Sequence, residues 1–451
     1  MKPVLKLGAL VTAAGTFVST AMAQEEVAEA AEAVEAVMTV AAPDTVFIFN
    51  TLLFLVMGMV VMFMAAGFCM LEAGSVRSKN VAAICLKNIG LYAIASIVVW
   101  LVGYNLIYGN ADTPGGWIGT LSVWAQDDSA PLELGYASGS DWFFQMVFVA
   151  TAASIVSGTL AERIRILPFF IFTVILTGFI YPVQASWEWG AGWLDANFGF
   201  SDFAGSTLVH ATGGWAALAG ALALGSRTGR FKEDGQPVAM FGSSMPLATL
   251  GTFILWLGWF GFNGGSQLAL GSLDDSISVS NIFVNTNMAA ATGCVTVIVL
   301  SMILKGKINL PMVLNGAIGG LVSITAEPLA PVVWHAALIG SVGGVLIYVV
   351  TPLLEKLQID DVVGAIPAHL ACGIWGTMIV PFSNSDATYG GQLVGVLANG
   401  AFVFGISLII WFGLKFTIGI RSSEDEENIG LDLSETGHPG YEINPVVVPA
   451  E

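Results

Sequence analysis

DFAGSTLVHATGGWAALAGALALG (202–225) and DDVVGAIPAHLACGIWGTMIV (360–380) are apolar, glycine-rich and long enough to cross a bilayer, yet each carries a histidine. An aspartate, Asp202 or Asp361, stands eight residues before His210 or His369. On a continuous helix rising about 1.5 Å per residue, that spacing puts each imidazole roughly 12 Å into the membrane, near its midplane. An ionisable group at that depth costs on the order of 3 kcal/mol if charged and ordinarily faces a pathway or a buried partner.

The rest of the chain fits this reading. Hydrophobic residues make up 55% of 451 and charged residues only 11%, with mean hydropathy +0.78, which excludes a soluble globule of this length. Cys69, Cys85, Cys294 and Cys372 all lie in apolar segments without CxxC spacing, so they read as small core residues rather than disulfides or zinc ligands. At the start, Lys2 and Lys6 precede an apolar run from Leu7 to Val18 and the small-residue site Ala21-Met22-Ala23. Residues 1–23 therefore read as a secretory signal peptide, with a short extra membrane helix as the alternative. Residues 24–45 form an acidic Ala/Glu-rich segment, expected outside the membrane.

Eleven apolar spans follow within 46–421, at 46–71, 84–108, 141–161, 164–184, 203–226, 240–263, 281–304, 310–327, 332–354, 363–382 and 391–418. Their loops alternate in charge. Arg77, Arg163, Arg165, Arg227, Arg230, Lys305, Lys307, Lys356 and Arg421 fall on one side, whereas Asp127, Asp128, Glu188, Asp195, Asp274, Glu327 and Asp386 fall on the other. The positive-inside rule then predicts an external N-terminus and a cytoplasmic C-terminus. The net charge of −18 is thus split between an acidic outer face and a mixed inner one. That outer face either draws cations inward or simply follows from the topology.

His210 is on the fifth span and His369 on the tenth, so the two helices enter from opposite sides. A five-plus-five inverted repeat with one added helix produces this arrangement and puts a site at the interface of the halves. The local patterns, D-x7-H-x2-G-G-W and D-x7-H-x3-G-I-W, are alike. Burial disfavours a charged imidazole, so both rings are expected neutral, each with one donor and one acceptor nitrogen. A lone histidine on an apolar face is ordinarily a satisfied core residue; matched depth and spacing favour a shared role. With no carboxylate or cysteine at ligand spacing beside either ring, no metal or other cofactor is expected. His335 and His438 read as ordinary structural residues. Neither H-E-x-x-H nor G-x-S-x-G occurs, so an enzyme is not expected.

Several segments together carry a resemblance: MLEAGSVRSKN (70–80), FFQMVFVATAASIVSGTLAERIR (143–165), WEWGAGW (187–193), DFAGSTLVHATGG (202–214), GWFGFNGGS (258–266) and IDDVVGAIPAHLACGIWGT (359–377). The chain resembles a bacterial member of the Amt/Mep/Rh ammonium transporter family over almost all of 46–441. The resemblance implies eleven helices per subunit, a homotrimer with one pore per subunit in a bacterial inner membrane, and conduction of ammonium. Carried over, the family's twin histidines fall on His210 and His369. Its recruitment site falls on Trp189, Phe148 and Ser266, its aromatic gate on Phe148 and Phe262, and its capping aspartate on Asp202. Trp189 is preferred to Trp187 because it directly precedes Gly-Ala-Gly.

The residues fit such a role on physical grounds. Aromatic faces hold a cation by about 0.5–2 kcal/mol, and a serine oxygen accepts an N–H. Splitting ammonium into ammonia and a proton avoids carrying a charge past two phenylalanines, a route potassium lacks. Glu162 and Glu72, at helix ends, read as local salt-bridge partners. Residues 422–451 resemble the family's cytoplasmic regulatory tail through ENIGLDLSETGHPGYEI, which implies a PII-type signal protein as partner. The alternatives are an ammonium sensor with little conduction and an Rh-like channel for a neutral gas.

Overall fold

The computed structural model describes residues 42–109 and 114–441. The signal-peptide reading of 1–23, nearly all of the acidic segment 24–45 and the tail after Tyr441 lie outside the described residues. Nine helices among the described residues are long and apolar enough to cross a membrane. In chain-order numbering they are α1 Pro43–Ser75, α2 Ser78–Tyr108, α3 Ser138–Thr159, α4 Ile166–Ser186, α5 Ser206–Leu224, α6 Met245–Gly265, α7 Leu273–Lys305, α9 Val333–Lys356 and α11 Tyr389–Thr417. Two shorter apolar helices, α8 Leu310–Ile324 and α10 Ile366–Phe382, fill the eighth and tenth places. The chain is an all-helical, multi-pass membrane protein. Extended pairing among the described residues is limited to two isolated bridges, Ile164 with Arg421 and Phe231 with Pro237.

Where boundaries differ from the sequence reading, capping or tertiary hydrogen bonding is the cause. α7 begins at Leu273 rather than 281 because Ser272 and Asp275 form a reciprocal capping box. α5 and α10 begin later than the apolar pattern, at Ser206 and Ile366. The preceding backbone is satisfied by neighbours instead: Phe203 N and Ala204 N donate to Ala326 O and Thr325 O at 3.2 and 3.1 Å, and Asn315 Nδ2 donates to Val363 O at 2.9 Å. Irregular backbone at membrane depth survives when protein, not lipid, surrounds it.

α3 and α5 are the central helices, with 83% of each apolar window buried. α5 packs on α3 and α11, α1 runs along α6, and α7, α8 and α9 form a layer of their own. Glycines set that layer's spacing: a Cβ at Gly320 or Gly340 would collide with the Ala289 carbonyl.

On the side carrying the cationic loops, called the basic side below, fully buried Arg163 donates to Thr159 O at 2.6 Å, Asp360 O at 2.6 Å and Gly225 O at 3.1 Å. It thereby ties the end of α3 to the end of α5 and the approach to α10. Arg227 grips the Asp360 carboxylate with Nε at 2.8 Å and Nη2 at 2.9 Å, and reaches Glu162 at 3.3 Å. Glu162 also pairs with Arg77 at 2.5 Å, so its partners are distant in sequence rather than the adjacent Arg163 and Arg165. Glu72 makes no salt bridge and bonds Ser157 instead.

The tail to Tyr441 lies against the same side. Asp432 accepts from Val81 N and Ala83 N at 3.1 and 2.9 Å, in the first turns of α2. Glu435 accepts from Ile166 N, the first residue of α4, at 3.1 Å. Lys79 Nζ donates to Glu427 O and Asn428 O, both at 2.7 Å.

Candidate functional site

The two histidine helices open in the same way. Gly205 (φ 104°) and Gly364 (φ 76°) take the left-handed conformation that frees the chain to turn before each helix. Each helix then begins with a π-helical stretch, Ser206–Ala211 or Ile366–Ala371, in which the histidine is the fifth or fourth residue. The extra residue per turn rotates the side chains relative to an α-helix, and such turns are concentrated at functional sites. The continuous helix expected between each aspartate and its histidine is not present. The eight residues from aspartate to histidine are not one helix, so the imidazoles lie close to helix starts that are themselves inside the protein.

Asp202 explains why α5 can start there. Its Oδ1 accepts from Gly205 N and Ser206 N at 3.2 and 2.7 Å, and its Oδ2 from Thr207 N and Leu208 N at 2.7 and 2.8 Å. All of the amides that the first turn leaves unbonded find one buried carboxylate. Asp361 supports α10 more lightly, accepting from Ile366 N at 2.7 Å and from Thr159 Oγ1 at 3.0 Å.

His210 and His369 meet. Their Nδ1 atoms are 3.3 Å apart and their rings stack at 5.2 Å between centroids, 28° from parallel. One Nδ1 must donate and the other accept, so the rings hold complementary tautomers. His210 also lies against Trp259 at 4.9 Å and Phe262 at 5.2 Å, and its buried Nε2 has no hydrogen-bond partner. Trp259, which the sequence reading missed, is held by its Nε1 bond to Thr325 Oγ1 at 2.8 Å. Its signal was present, since a residue three before Phe262 on a helix shares Phe262's face.

From Phe262 the row continues to Phe148, with centroids 4.1 Å apart, and from Phe148 edge-on to Trp189 at 6.1 Å. Trp189 Nε1 donates to Asp202 O at 3.2 Å, so the aspartate that starts α5 also holds the indole. Ser266 joins the row through the Phe262 carbonyl, to which its hydroxyl donates at 2.8 Å, and makes no hydrogen bond to Trp189. With its proton committed, the Ser266 oxygen is left as an acceptor. Trp189, Phe148, Phe262, His210 and His369 thus form one contiguous row, with Asp202 behind its first member.

Beside that first member lies a second carboxyl. Glu188 Oε1 accepts from Asp202 N at 2.6 Å, while its Oε2 is buried without a partner. Burial and the nearby Asp202 charge hold Glu188 well above the usual carboxylate range. Burial also pushes Asp202 up to about 6 against the opposing pull of its backbone N–H bonds. At the other end, Phe68 faces His369 at 6.1 Å, and His369 lines a narrow cavity that runs toward the basic side. The arrangement offers a π-face at one end, an apolar constriction with a serine oxygen one helical turn from Phe262, and then two imidazoles able to pass a proton between them.

The Ammonium Transporter Family model matches residues 52–441. Ammonium transporter Amt2 of Archaeoglobus fulgidus is 40% identical over 419 residues, covering 86% of this chain and 87% of that protein. A putative ammonium transporter of Synechocystis sp. is 39% identical over 445 residues, 97% of this chain and 96% of its own length. Among solved structures, a Sensor Amt Protein matches with TM-score 0.80 and 34% identity over 86% of this chain and 98% of that one. Candida albicans Mep2 matches with TM-score 0.73 and 26% identity over 84% and 87%. Since the matched region contains every helix of the aromatic and imidazole row, the likeness covers the whole bundle, and the chain belongs to the ammonium transporter family.

Proposed function

We propose that this protein moves ammonium across a bacterial inner membrane by binding the ion on the acidic side, removing a proton and passing ammonia along the Phe148–Phe262–His210–His369 row. The observation that carries this reading is the unbroken contact from Trp189 to His369, with a cavity at its end. Trp189, Phe148 and Ser266 bind the ion, the closely packed Phe148 and Phe262 exclude hydrated cations, and Asp202 fixes the start of α5 and the Trp189 indole. An intact ion would lose several kcal/mol of hydration at the phenylalanines, whereas ammonia crosses them as a small neutral molecule. The imidazole pair either relays the proton separately or lines the ammonia path. No covalent chemistry is required, so the protein acts as a transporter and not as an enzyme.

In the same reading the chain crosses the membrane eleven times, with α8 and α10 as the two short crossings. The acidic loops lie outside and the tail in the cytoplasm. The like starts of α5 and α10 support a five-plus-five inverted repeat with α11 added. The functional unit is a homotrimer with one pore per subunit, and the tail at 422–441 offers a PII-type protein a surface on the basic side. The likeness to a Sensor Amt Protein favours one second reading, a sensor that binds ammonium with little conduction.

Current across a solid-supported membrane carrying the purified protein tests the proposal. An ammonium pulse is expected to evoke a current that disappears in His210→Ala/His369→Ala while ammonia uptake persists. Uptake without current in either protein would mean neutral conduction, and neither current nor uptake in the wild type would turn the reading to the sensor.

A further inference from the structure

Beyond His369 the chemistry changes. The cavity there is lined by Phe68, Glu72, Ser154, Asn315, Val363 and His369 among others, so its titratable groups are one imidazole and one carboxyl. Glu72 follows Phe68 on α1 by one helical turn, roughly 6 Å, and so lies on the basic side of the Phe68–His369 contact. The carboxyl is almost wholly buried, 1% exposed. Its Oε2 accepts from Ser157 Oγ at 2.7 Å, and its Oε1 is buried without any hydrogen-bond partner. The carbonyl of the same Ser157 accepts from Lys87 Nζ at 2.8 Å, and Lys87 is 2% exposed. A carboxyl and an ammonium are thus buried around one serine, with one carboxyl oxygen left over where the path from the histidines emerges. An unmet buried acceptor is costly, and this one lies on a carboxyl that lines the cavity.

Resting on the transporter reading above, we propose that Glu72 is the ammonium-binding and proton-exchange group of the basic-side mouth. Ammonia that has passed His369 takes a proton from the Glu72 carboxyl: an N–H bond forms on the nitrogen lone pair as the O–H bond breaks, leaving ammonium beside a carboxylate. Ammonium departs to the basic side, and the proton passed separately through the His210–His369 pair restores the carboxyl, so each cycle carries one net positive charge. Lys87, linked through Ser157, balances the carboxylate between these events. Export runs the same steps backwards. The two mouths therefore hold the ion differently, by aromatic faces on the acidic side and by a carboxylate on the basic side.

The test measures ammonium-evoked current in proteoliposomes carrying the full chain, using ammonium chloride as the probe. Glu72→Gln keeps the shape and the Ser157 bond but cannot release a proton, and its maximal current is expected to fall roughly a hundredfold, the usual scale for losing a proton-transfer group. The half-saturating concentration is expected to stay unchanged, because the Trp189 end is intact. Glu72→Asp should recover part of the current. Glu72→Gln/Lys87→Met removes the cation that the single substitution leaves unpaired, and it decides the matter if the single variant does not fold; its current is expected to be as low. Variants that conduct within about twofold of a conducting wild type overturn the assignment alone. A wild type that passes no ammonium overturns the transporter reading, and the assignment falls with it.

Discussion

The starts of α5 and α10 share a sequence pattern, a left-handed glycine, a π-helical stretch and a histidine, yet they are held in place by different forces. α5 hangs on amide bonds: four backbone N–H groups converge on Asp202. Its histidine is enclosed by Trp259, Phe262 and His369. α10 hangs on charge: Asp361 takes one backbone amide, while the neighbouring Asp360 anchors the approach to Arg227 and Arg163. Its histidine faces a cavity. Likeness of pattern therefore fixes where the two rings meet, and unlike support lets one be sealed while the other opens toward a mouth.

Removing each support tests that contrast most directly. Arg227→Met strips a nearly buried cation from Asp360 and Glu162 and is expected to cost about 3–5 kcal/mol, the scale for breaking a buried ion pair. Asp202→Ala leaves four amides without an acceptor and is expected to cost about 3 kcal/mol or more. Asp361→Ala, which frees one amide and one hydroxyl, should cost only about 1–2 kcal/mol. Unfolding of the purified variants in detergent measures all three. Equal losses for the two aspartates would erase the distinction between the helix starts.

Acidity offers a second way to separate them, through opposite slopes. Burial pushes Asp202 up from 3.8 to about 6, so between these values the folded protein binds the extra proton, and this carboxyl's contribution to stability declines as pH rises. Burial alone would also raise Asp360, but Arg163 and Arg227 outweigh it and hold Asp360 below the usual range. Its contribution is present above about pH 4 and is lost as pH falls further. Asp202→Asn should flatten the declining limb between about pH 4 and 6, and Asp360→Asn the rising limb below it. The same slope change in both variants would break the comparison.

Smallest in effect are the glycines. Alanine at either left-handed position costs about 1–2 kcal/mol of backbone strain. At Gly205 the new Cβ also meets Val209 Cγ2 at 2.5 Å and the Trp189 ring at 3.2 Å, whereas at Gly364 it meets the movable Asn315 amide at 2.4 Å. Gly205→Ala is therefore expected to raise the half-saturating ammonium concentration, and Gly364→Ala to lower the maximal rate alone. Identical kinetic changes would mean that both act only through helix strain.

Much of this was legible in the sequence, because lipid leaves few solutions for an apolar segment. Each of the eleven apolar stretches corresponds to a helix, and the repeated D-x7-H pattern marks the two rings that touch. Helix starts were less legible. Hydropathy does not distinguish Phe203 and Ala204, which spend their amides on a neighbouring loop, from residues inside α5. Long-range charge pairing escaped as well. Glu162 sits among arginines in AERIR but turns to Arg77 and Arg227, and nothing local foretells that choice. Cys69 and Cys85, read as separate core residues, bring their sulfurs to 3.8 Å because α1 and α2 pack together. Glu72 and Lys87 come together at Ser157 for the same reason, and no periodicity along the chain marks that meeting.

The bonds from the tail to α2 and α4 form late in the making of the chain. The amides at the start of α2 wait for Asp432, which the ribosome supplies 351 residues after Val81, and α4 waits for Glu435, made 269 residues after Ile166. Two of the first four helices of the bundle thus stay unfinished at one end until the stretch that follows α11 has been made. A chain that stops after α11 holds every helix of the bundle and still lacks those bonds, so the stretch made after the bundle completes two of its early helices.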